Sequence, residues 1–358
     1  MSSSAALPFS DHPTPQQPTG PDSRPARPVR TARRRRRLLS VVVASVLVLA
    51  LVVAIAFLGT RVPTVGQFWR VLTGERVPGL SFQILEDRLP RAAVGLLAGA
   101  ALGFSGSLFQ TMLRNPLASP DVIGITGAAS AAAVTGKLVW GTQGWSMTLL
   151  AFAGAVGVAV VLFLLSGSGR RTGGRLIVSG IAIAAATGAL VDHLLSRTDI
   201  RLASDALLWL TGSLSASSWE RVTVLGLALL VLLPLGAVGA RSLRLLELGD
   251  DLASALGTNV QRNRLFVLVV AAGLAAAATS ITGPIVFVAF LGGLTGRALA
   301  GGRPSPTLSA LCGAVLVLAA ELLGSLGFGD IRMPAGVITG ILGAPVLLVL
   351  LTRAGSSR

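Results

Sequence analysis

The sequence predicts an all-α polytopic membrane protein with about ten transmembrane helices. The chain is 52% apolar, and its charged share of 13% is about half that of an average soluble domain. Its mean hydropathy is +0.76. Ten apolar runs follow one another, and most have the length of about 20 residues that a helix needs to cross a bilayer.

The chain begins with an arm, residues 1–37, that is rich in Ser, Pro and Thr and ends in a run of arginines. Because the arm has too few apolar residues to form a core, we predict that it is disordered and cytoplasmic. The next run, LLSVVVASVLVLALVVAIAFLG, is too long for a signal peptide and has no small-residue cleavage site close behind it. We interpret it as a retained anchor that opens a ten-helix transmembrane domain, 38–353, followed by a cytoplasmic tail, 354–358.

Nine further apolar runs complete the domain. They are rich in Gly and Ala, and in one of them Gly95, Gly99, Gly103 and Gly106 recur at spacings of three or four residues. Small residues at this spacing are typical of transmembrane helices whose backbones pack closely. The nine runs lie at about 91–112, 121–139, 147–166, 175–195, 219–239, 264–282, 286–299, 306–326 and 335–352.

Arginine placement predicts the orientation. Eight arginines lie between Arg24 and Arg37, next to the first apolar run, and such clusters stay on the cytoplasmic side. An even number of spans then places both termini there. The predicted inner segments beyond the arm carry twelve basic residues and the outer ones ten, and half of the outer ones fall in one segment, 59–91. A nucleic-acid-binding domain would instead spread its net charge of +15 over one folded face.

The sequence lacks the usual motifs of an enzyme. It has no HExxH, no GxSxG, no DxD-type carboxylate pair and no Cys/His cluster. A lone cysteine, Cys312, excludes an intramolecular disulfide, and we interpret it as a small core residue. The single lysine, Lys137, does not have the spacing of a phosphate-binding loop. If the protein uses nucleotide hydrolysis, the nucleotide must therefore bind another chain.

One acid, Glu321, lies well inside an apolar run. An unpaired carboxylate in hydrocarbon is costly, so this residue has a partner or a function. Proton or ion coupling, a hydrogen bond to a neighbouring helix, and a place on a water-filled cavity all remain open. A secondary transporter driven by an ion gradient, using Glu321 or Asp192, is the rival class of protein. Internal repeats, which are typical of that class, are not evident in the sequence.

Five stretches run in one order across the chain beyond the arm, at 88–134, 209–222, 243–265, 282–290 and 333–351. Their sequences resemble the motifs of the iron-siderophore and cobalamin ABC-importer permeases. The resemblance implies a type II ABC importer permease fold in a bacterial plasma membrane. It also implies a sister permease subunit, two cytoplasmic ATPase subunits that bind ATP-Mg, and an extracytoplasmic siderophore-binding protein. It implies no cofactor and no metal on this chain.

The resemblance also suggests a cargo. The stretches RNPLASPDVIG and LRLLELGDDLASALG look most like those of one subunit of a ferric-enterobactin permease pair. This implies a heterodimer and a catecholate ferric siderophore as cargo. Other ferric siderophores, haem and cobalamin remain open.

The stretch RNPLASPDVIG is a polar inner loop between two apolar runs. Its two prolines fix φ and remove N–H donors, which stiffens the loop. Ser119 or Asp121 is expected to cap the following helix. A rigid reversal next to the ATPase, as the resemblance implies, and a plain tight turn both remain open. The residues assigned to this loop are Arg114, Asn115, Pro116, Pro120 and Asp121.

The stretch LELGDDLASALG, in an inner loop at about 243–264, predicts a short amphipathic helix. Two glycines bracket it, and two acids at its start complement the helix dipole. A helix this short is only marginally stable in isolation, so we expect it to dock. The resemblance names a groove of the ATPase subunit, and a lipid surface is the alternative. The residues assigned to ATPase coupling are Gly249, Asp250, Asp251, Leu252, Ala255, Leu256 and Gly257.

Arginines of the outer segments are assigned to the binding protein. The resemblance implies that acidic groups of the binding protein meet permease arginines, whose side chains suit bidentate pairing with carboxylates. Lipid headgroups are the alternative partner for each of them. The residues are Arg61, Arg70, Arg76, Arg88 and Arg332.

The chain departs from the family pattern at two places. After GPIVFVAF, Gly293 and Leu294 stand where the family has Pro and His, while Arg297 matches. A helix bend that Pro normally favours would then depend on Gly292 and Gly293. Arg332 occupies a position where the family more often has an acid.

Overall fold

The computed structural model describes residues 27–58, 62–166, 172–246, 249–326 and 332–355. Every regular element within these ranges is a helix, so the predicted all-α class is confirmed. A short π-helical segment, Gln83–Arg88, leads directly into the third α-helix. The α-helices are α1 (Arg27–Phe57), α2 (Val65–Leu72), α3 (Leu89–Met112), α4 (Ile125–Trp140), α5 (Trp145–Ser166), α6 (Thr172–Ser196), α7 (Ile200–Leu210), α8 (Trp219–Leu246), α9 (Asp250–Ala255), α10 (Val260–Thr282), α11 (Val288–Leu299), α12 (Pro306–Leu326) and α13 (Ala335–Gly355).

Ten of these helices match the ten apolar runs in order. Within the described ranges, 7 helices are long and apolar enough to cross a membrane. The other matches are α4, α11 and α13, with 16, 12 and 21 residues. At about 1.5 Å per residue, α4 and α11 are shorter than the roughly 30 Å of a hydrocarbon core. The count of ten spans is therefore approximate.

The first helix, α1, begins at Arg27, inside the segment predicted to be a disordered arm. Arginine is a good helix former, and a helix that has already formed in the membrane gains one hydrogen bond per added residue. The side chain of Arg37 donates to the Ser305 hydroxyl at 3.3 Å, next to the start of α12. The prediction of disorder therefore differs from the structure at 27–37, and residues 1–26 lie outside the described ranges.

The central helix is α3, which packs against α8, α10, α11 and α12. Glycines lie where the backbones meet. A Cβ atom on Gly99 would lie 2.5 Å from the Gly313 carbonyl oxygen, and Cβ atoms on Gly103 and Gly106 would overlap carbonyl oxygens of α12 and α11. The close packing that the glycine spacing predicts is confirmed.

The two glycines that were expected to allow a helix bend, Gly292 and Gly293, lie in α11 where it meets α3. A Cβ atom on Gly292 would lie 3.0 Å from the Cα atom of Gly103, and one on Gly293 would lie 2.5 Å from the Gln110 side chain. Gln110 also donates to the Phe290 carbonyl oxygen at 3.0 Å. Both glycines therefore allow close approach of α11 to α3, whereas the sequence analysis assigned them to a bend.

A second group of helices consists of α4, α5 and α6, and α10 contacts α4 and α5 as well as α3 and α8. The α3–α4 loop, α9 and the start of α10 lie at one end of the bundle. Following the predicted orientation, we call this the inner end. The outer end holds the π-helical segment and residues 332–334, which precede α13.

Candidate functional site

The inner end holds the predicted coupling helix. It forms as α9, bracketed by Gly249 with φ 110° and Gly257 with φ 81°. Glycine adopts such left-handed conformations without the strain that a Cβ atom brings. The helix that LELGDDLASALG predicts is therefore confirmed, with glycines at both turns.

The apolar stripe of α9 is exposed. Leu252 and Leu256 are 51% and 58% exposed, and Ala255 is exposed too. Ala253 is fully buried and attaches α9 to the bundle. Two exposed leucines on a loop outside the apolar spans are typical of a surface that another molecule covers.

Asp250 holds α9 by ion pairs. Its Oδ1 atom lies 3.0 Å from Arg264 Nη2 and 3.3 Å from Arg114 Nη2. Arg114 also donates to the carbonyl oxygen of Leu246, the last residue of α8. Asp250 was assigned to the helix dipole and the ATPase, and the structure gives it two arginines of this chain as partners. Asp251 is exposed, and its side chain has an interaction of its own.

The α3–α4 loop reverses the chain and contains several local hydrogen bonds, as either of the two alternatives requires. The side chain of Asn115 accepts from the Leu117 N–H at 2.9 Å, and Ser119 accepts from the Val122 N–H at 3.3 Å. The Pro120 carbonyl accepts from the first residue of α4 at 3.0 Å, and Pro116 lies in a turn. The expected cap is wrong, because Gly124 with φ 81° is the N-cap residue and no side chain caps α4.

Asp121 of this loop is partly exposed as a residue, but its two carboxylate oxygens are buried. Neither carboxylate oxygen accepts a well-formed hydrogen bond from the described residues. The Thr126 side chain and the Phe287 backbone face the group, but burial dominates and raises the pKa of Asp121 from its ordinary 3.8 to about 6. The group gains a proton more easily in the folded protein than in the unfolded chain.

We expect Asp121→Asn to stabilise the protein at neutral pH. Below pH 3.8 the Asp121 carboxyl is neutral in both the folded and the unfolded protein, and its contribution to stability is fully present. As the pH rises through about 6, this stability is lost, because the unfolded chain ionises the group more easily than the folded protein does. The pKa difference corresponds to about 3 kcal/mol. The apparent melting temperature of Asp121→Asn should exceed that of wild type by an amount that grows as the pH rises from 4 to 8. The exposed Asp199→Asn is the control, and identical pH slopes for wild type and Asp121→Asn would contradict the prediction.

The predicted docking arginines have different environments at the outer end. Arg88 is buried, and its guanidinium donates at 3.2 Å to the carbonyl oxygens of Ala56 and Phe57, where α1 ends. It therefore caps a helix C-terminus. Arg70 and Arg76 are exposed, and Arg70 forms an ion pair with Glu75.

Two of the predicted arginines remain. Arg332 is exposed, and its Nη1 atom lies 3.6 Å from Asp87 Oδ2. This acid explains how an arginine is accommodated where the family more often has an acid. Arg61 lies outside the described residues.

Glu321 has a partner. Its Oε1 atom accepts from Arg91 Nη1 at 3.2 Å, and the two side chains are only 8% and 9% exposed. Arg91 also pairs with Asp87, four residues before it. This geometry favours the structural interpretation of Glu321 over ion coupling. Arg91 was not predicted as the partner of Glu321, although the i,i+4 spacing of Asp87 and Arg91 is a recognisable signal.

The described residues contain no group of three or more His, Cys, Asp or Glu side chains that could hold a metal ion. Cys312 is buried in α12. The chemically notable clusters of the described chain are thus the ion pairs at its inner and outer ends.

Comparisons with known proteins give concordant results. The model of the FecCD transport family matches residues 45–353. In Escherichia coli (strain K12), the ferric enterobactin transport system permease protein FepG is 37% identical over 288 residues, which is 80% of this chain and 87% of FepG. The Fe(3+) dicitrate transport system permease protein FecD of the same strain is 37% identical over 292 residues, 80% of this chain and 90% of FecD.

One solved structure is also similar. It is an inward-facing conformation of a metal-chelate type ABC transporter, with a TM-score of 0.75 and 25% identity over 88% of this chain and 99% of that one. The fold class, the motif resemblance and the family match agree. The chain belongs to the FecCD transport family.

Proposed function

We propose that this chain is the transmembrane permease subunit of an ABC importer that moves a ferric siderophore into the cytoplasm. The observation that carries the proposal is α9, a short helix with exposed leucines at the inner end of a FecCD family member. The chain supplies the path, and two ATPase subunits on separate chains bind and hydrolyse ATP-Mg. The permease itself then carries out no covalent chemistry.

The cargo class rests on the relatives and on the motifs. FepG is named for ferric enterobactin and FecD for ferric dicitrate, so both names describe a ferric chelate. We propose a catecholate ferric siderophore of the enterobactin type. Another ferric siderophore, haem or cobalamin is the alternative.

The proposed complex contains further partners. A sister permease subunit would complete the path as a heterodimer, as the pair of names FepG and FepD illustrates for enterobactin. An extracytoplasmic binding protein would dock at the outer end through Arg70, Arg76 and Arg332, together with Arg61 from the sequence prediction. Arg88 is set aside because it is buried against α1. Both termini would lie in the cytoplasm, because the arginine cluster precedes the first span.

The proposed mechanism is alternating access. The loaded binding protein docks at the outer end, and ATP binding brings the two ATPase subunits together. Leu252 and Leu256 sit in a groove of one ATPase subunit, so α9 follows this movement. A ligand or partner can shift the transporter between its states only through contacts that differ between them, and α9 provides such a contact.

The test is uptake of iron-55 in cells that carry wild-type protein or Leu252→Asp/Leu256→Asp. Iron is supplied as ferric enterobactin, as a ferric hydroxamate and as ferric citrate. A carboxylate in an apolar groove costs more than the 1.4 kcal/mol that corresponds to tenfold, so we expect catecholate uptake to fall by at least about tenfold. The ATPase subunit should no longer co-purify with the variant.

Membrane abundance is measured for each variant, and Ile200→Asp is the control. Ile200 is an exposed apolar residue at the start of α7, where a carboxylate suits the helix dipole. Uptake of the hydroxamate or citrate complex alone would retain the importer and reject the catecholate. Normal uptake and normal ATPase binding by Leu252→Asp/Leu256→Asp would reject α9 as the coupling contact.

A further inference from the structure

Three charged residues from three elements meet at the inner end. Asp250 begins α9, Arg264 lies in the first turns of α10, and Arg114 follows α3. One oxygen atom of Asp250 lies within 3.3 Å of both guanidinium groups. Shared acceptors of this kind give a charge-assisted contact with a fixed geometry.

Arg114 makes a second contact with the same nitrogen atom. Its Nη2 donates to the carbonyl oxygen of Leu246, at the C-terminus of α8, where the helix dipole favours a cation. One guanidinium thus connects the end of α3, the end of α8 and the start of α9. The covalent chain on either side of α9 leads only to α8 and α10.

The backbone fixes Arg114 relative to α3. Arg114 has a φ of 50°, a left-handed conformation that non-glycine residues rarely adopt. The N–H groups of Arg114 and Asn115 donate to Thr111 and Gln110 in the last turn of α3, at 3.3 and 3.1 Å. The strained conformation directs the side chain from a buried helix towards α9.

The attachment of α9 is otherwise slight. Of its six residues, Ala253 is the buried one, and Gly249 and Gly257 flank the helix. Little apolar surface therefore holds α9 against the bundle. The ion pairs of Asp250 are polar contacts that help to fix its position, and Asp251 has a further interaction.

We propose that Arg114 is a positioning residue that carries movement of α9 to the α3–α4 loop and to the central helix α3. The inference rests on the proposed function in taking α9 as the contact with the ATPase. Asp250 is the receiving group on α9, and Arg264 keeps that carboxylate aligned. Without Arg114, a movement of α9 is transmitted to α8 and α10 through the covalent chain but is no longer transmitted to α3.

The test uses hydrogen exchange of the permease in nanodiscs, alone and assembled with its ATPase, with and without ATP. The variants are Arg114→Gln, Asp250→Asn and the double variant. We expect α9 to exchange about fivefold faster in each single variant, which is the upper range for partly exposed ion pairs. The effect of the double variant should be smaller than the two single effects added together, because both changes remove the Arg114–Asp250 pair, whereas the Arg264 pair and the Leu246 bond are each lost in only one of them. The change that ATP causes in the exchange of residues 113–124 should disappear, while the ATPase still co-purifies.

The control is Arg262→Gln, an exposed arginine two residues before Arg264 that should leave exchange unchanged. The inference is overturned by unaltered exchange of α9 in the variants, by an ATP response at 113–124 that persists in Arg114→Gln, or by a wild type without that response. Should Arg114→Gln fail to insert, Asp250→Asn removes the contact from the other side. If the wild-type permease does not bind the ATPase subunit, the proposed function is rejected. Hydrogen exchange of α9 in the permease alone then still decides whether Arg114 positions α9.

Discussion

Leucine in place of Gly103 or Gly106 is expected to abolish recovery of folded protein. A side chain at either position would overlap a backbone carbonyl oxygen of α12 or α11, and a change of rotamer cannot move a backbone atom. The helices would have to separate along the most buried contacts of the bundle. The free energy lost when these helices separate is comparable with the whole free energy of unfolding of a typical domain, about 5–15 kcal/mol.

Fluorescence-detected size-exclusion chromatography of membranes solubilised in mild detergent measures this effect. Gly157→Leu in α5 and Gly226→Leu in α8 are matched controls, because a Cβ atom at either position meets nothing within 4 Å. Both controls should give a monodisperse peak. A monodisperse peak and an unchanged melting temperature for Gly106→Leu would contradict the backbone contact between α3 and α11.

Glu321→Leu is expected to lower stability by about 3–5 kcal/mol, because it removes one partner of a buried ion pair. Arg91 would retain Asp87, which is partly exposed, but would lose the acceptor inside the bundle. The double variant Arg91→Met/Glu321→Leu should recover much of the loss, since it leaves neither charge unpaired. The melting temperature in detergent measures both effects.

The surface pair Arg70–Glu75 offers the control, since both side chains are at least half exposed. Glu75→Gln should change the melting temperature little, because exposed ion pairs contribute little. An unchanged melting temperature for Glu321→Leu, combined with loss of uptake, would contradict the structural role and revive ion coupling through Glu321.

Local features of the fold could be predicted from the sequence. The apolar runs indicate the helices, because a bilayer demands length and hydropathy that can be counted along the chain. The two glycines around LELGDDLASALG indicate α9, since each marks a turn that a Cβ atom would strain. The spacing of Gly99, Gly103 and Gly106 predicts a close contact, although it does not identify the helices in contact.

Partners distant in sequence could not be predicted. Arg91 and Glu321 are 230 positions apart, and Arg114 and Asp250 are 136 apart, so no local pattern connects them. Arg88 resembles any other outer arginine until the end of α1 is placed beside it. The N-terminal part of α1 was missed because composition describes the arm as a whole, whereas helix extension depends on the span that follows it.

The glycine contacts also restrict how a transport movement can occur. Where backbone touches backbone, as between α3, α11 and α12, a small sliding motion meets main-chain atoms that cannot yield as side chains do. These three helices must therefore move together as one rigid body. The change between open and closed paths then takes place where side chains separate the helices, and a displacement of one end of α3 also displaces α11 and α12.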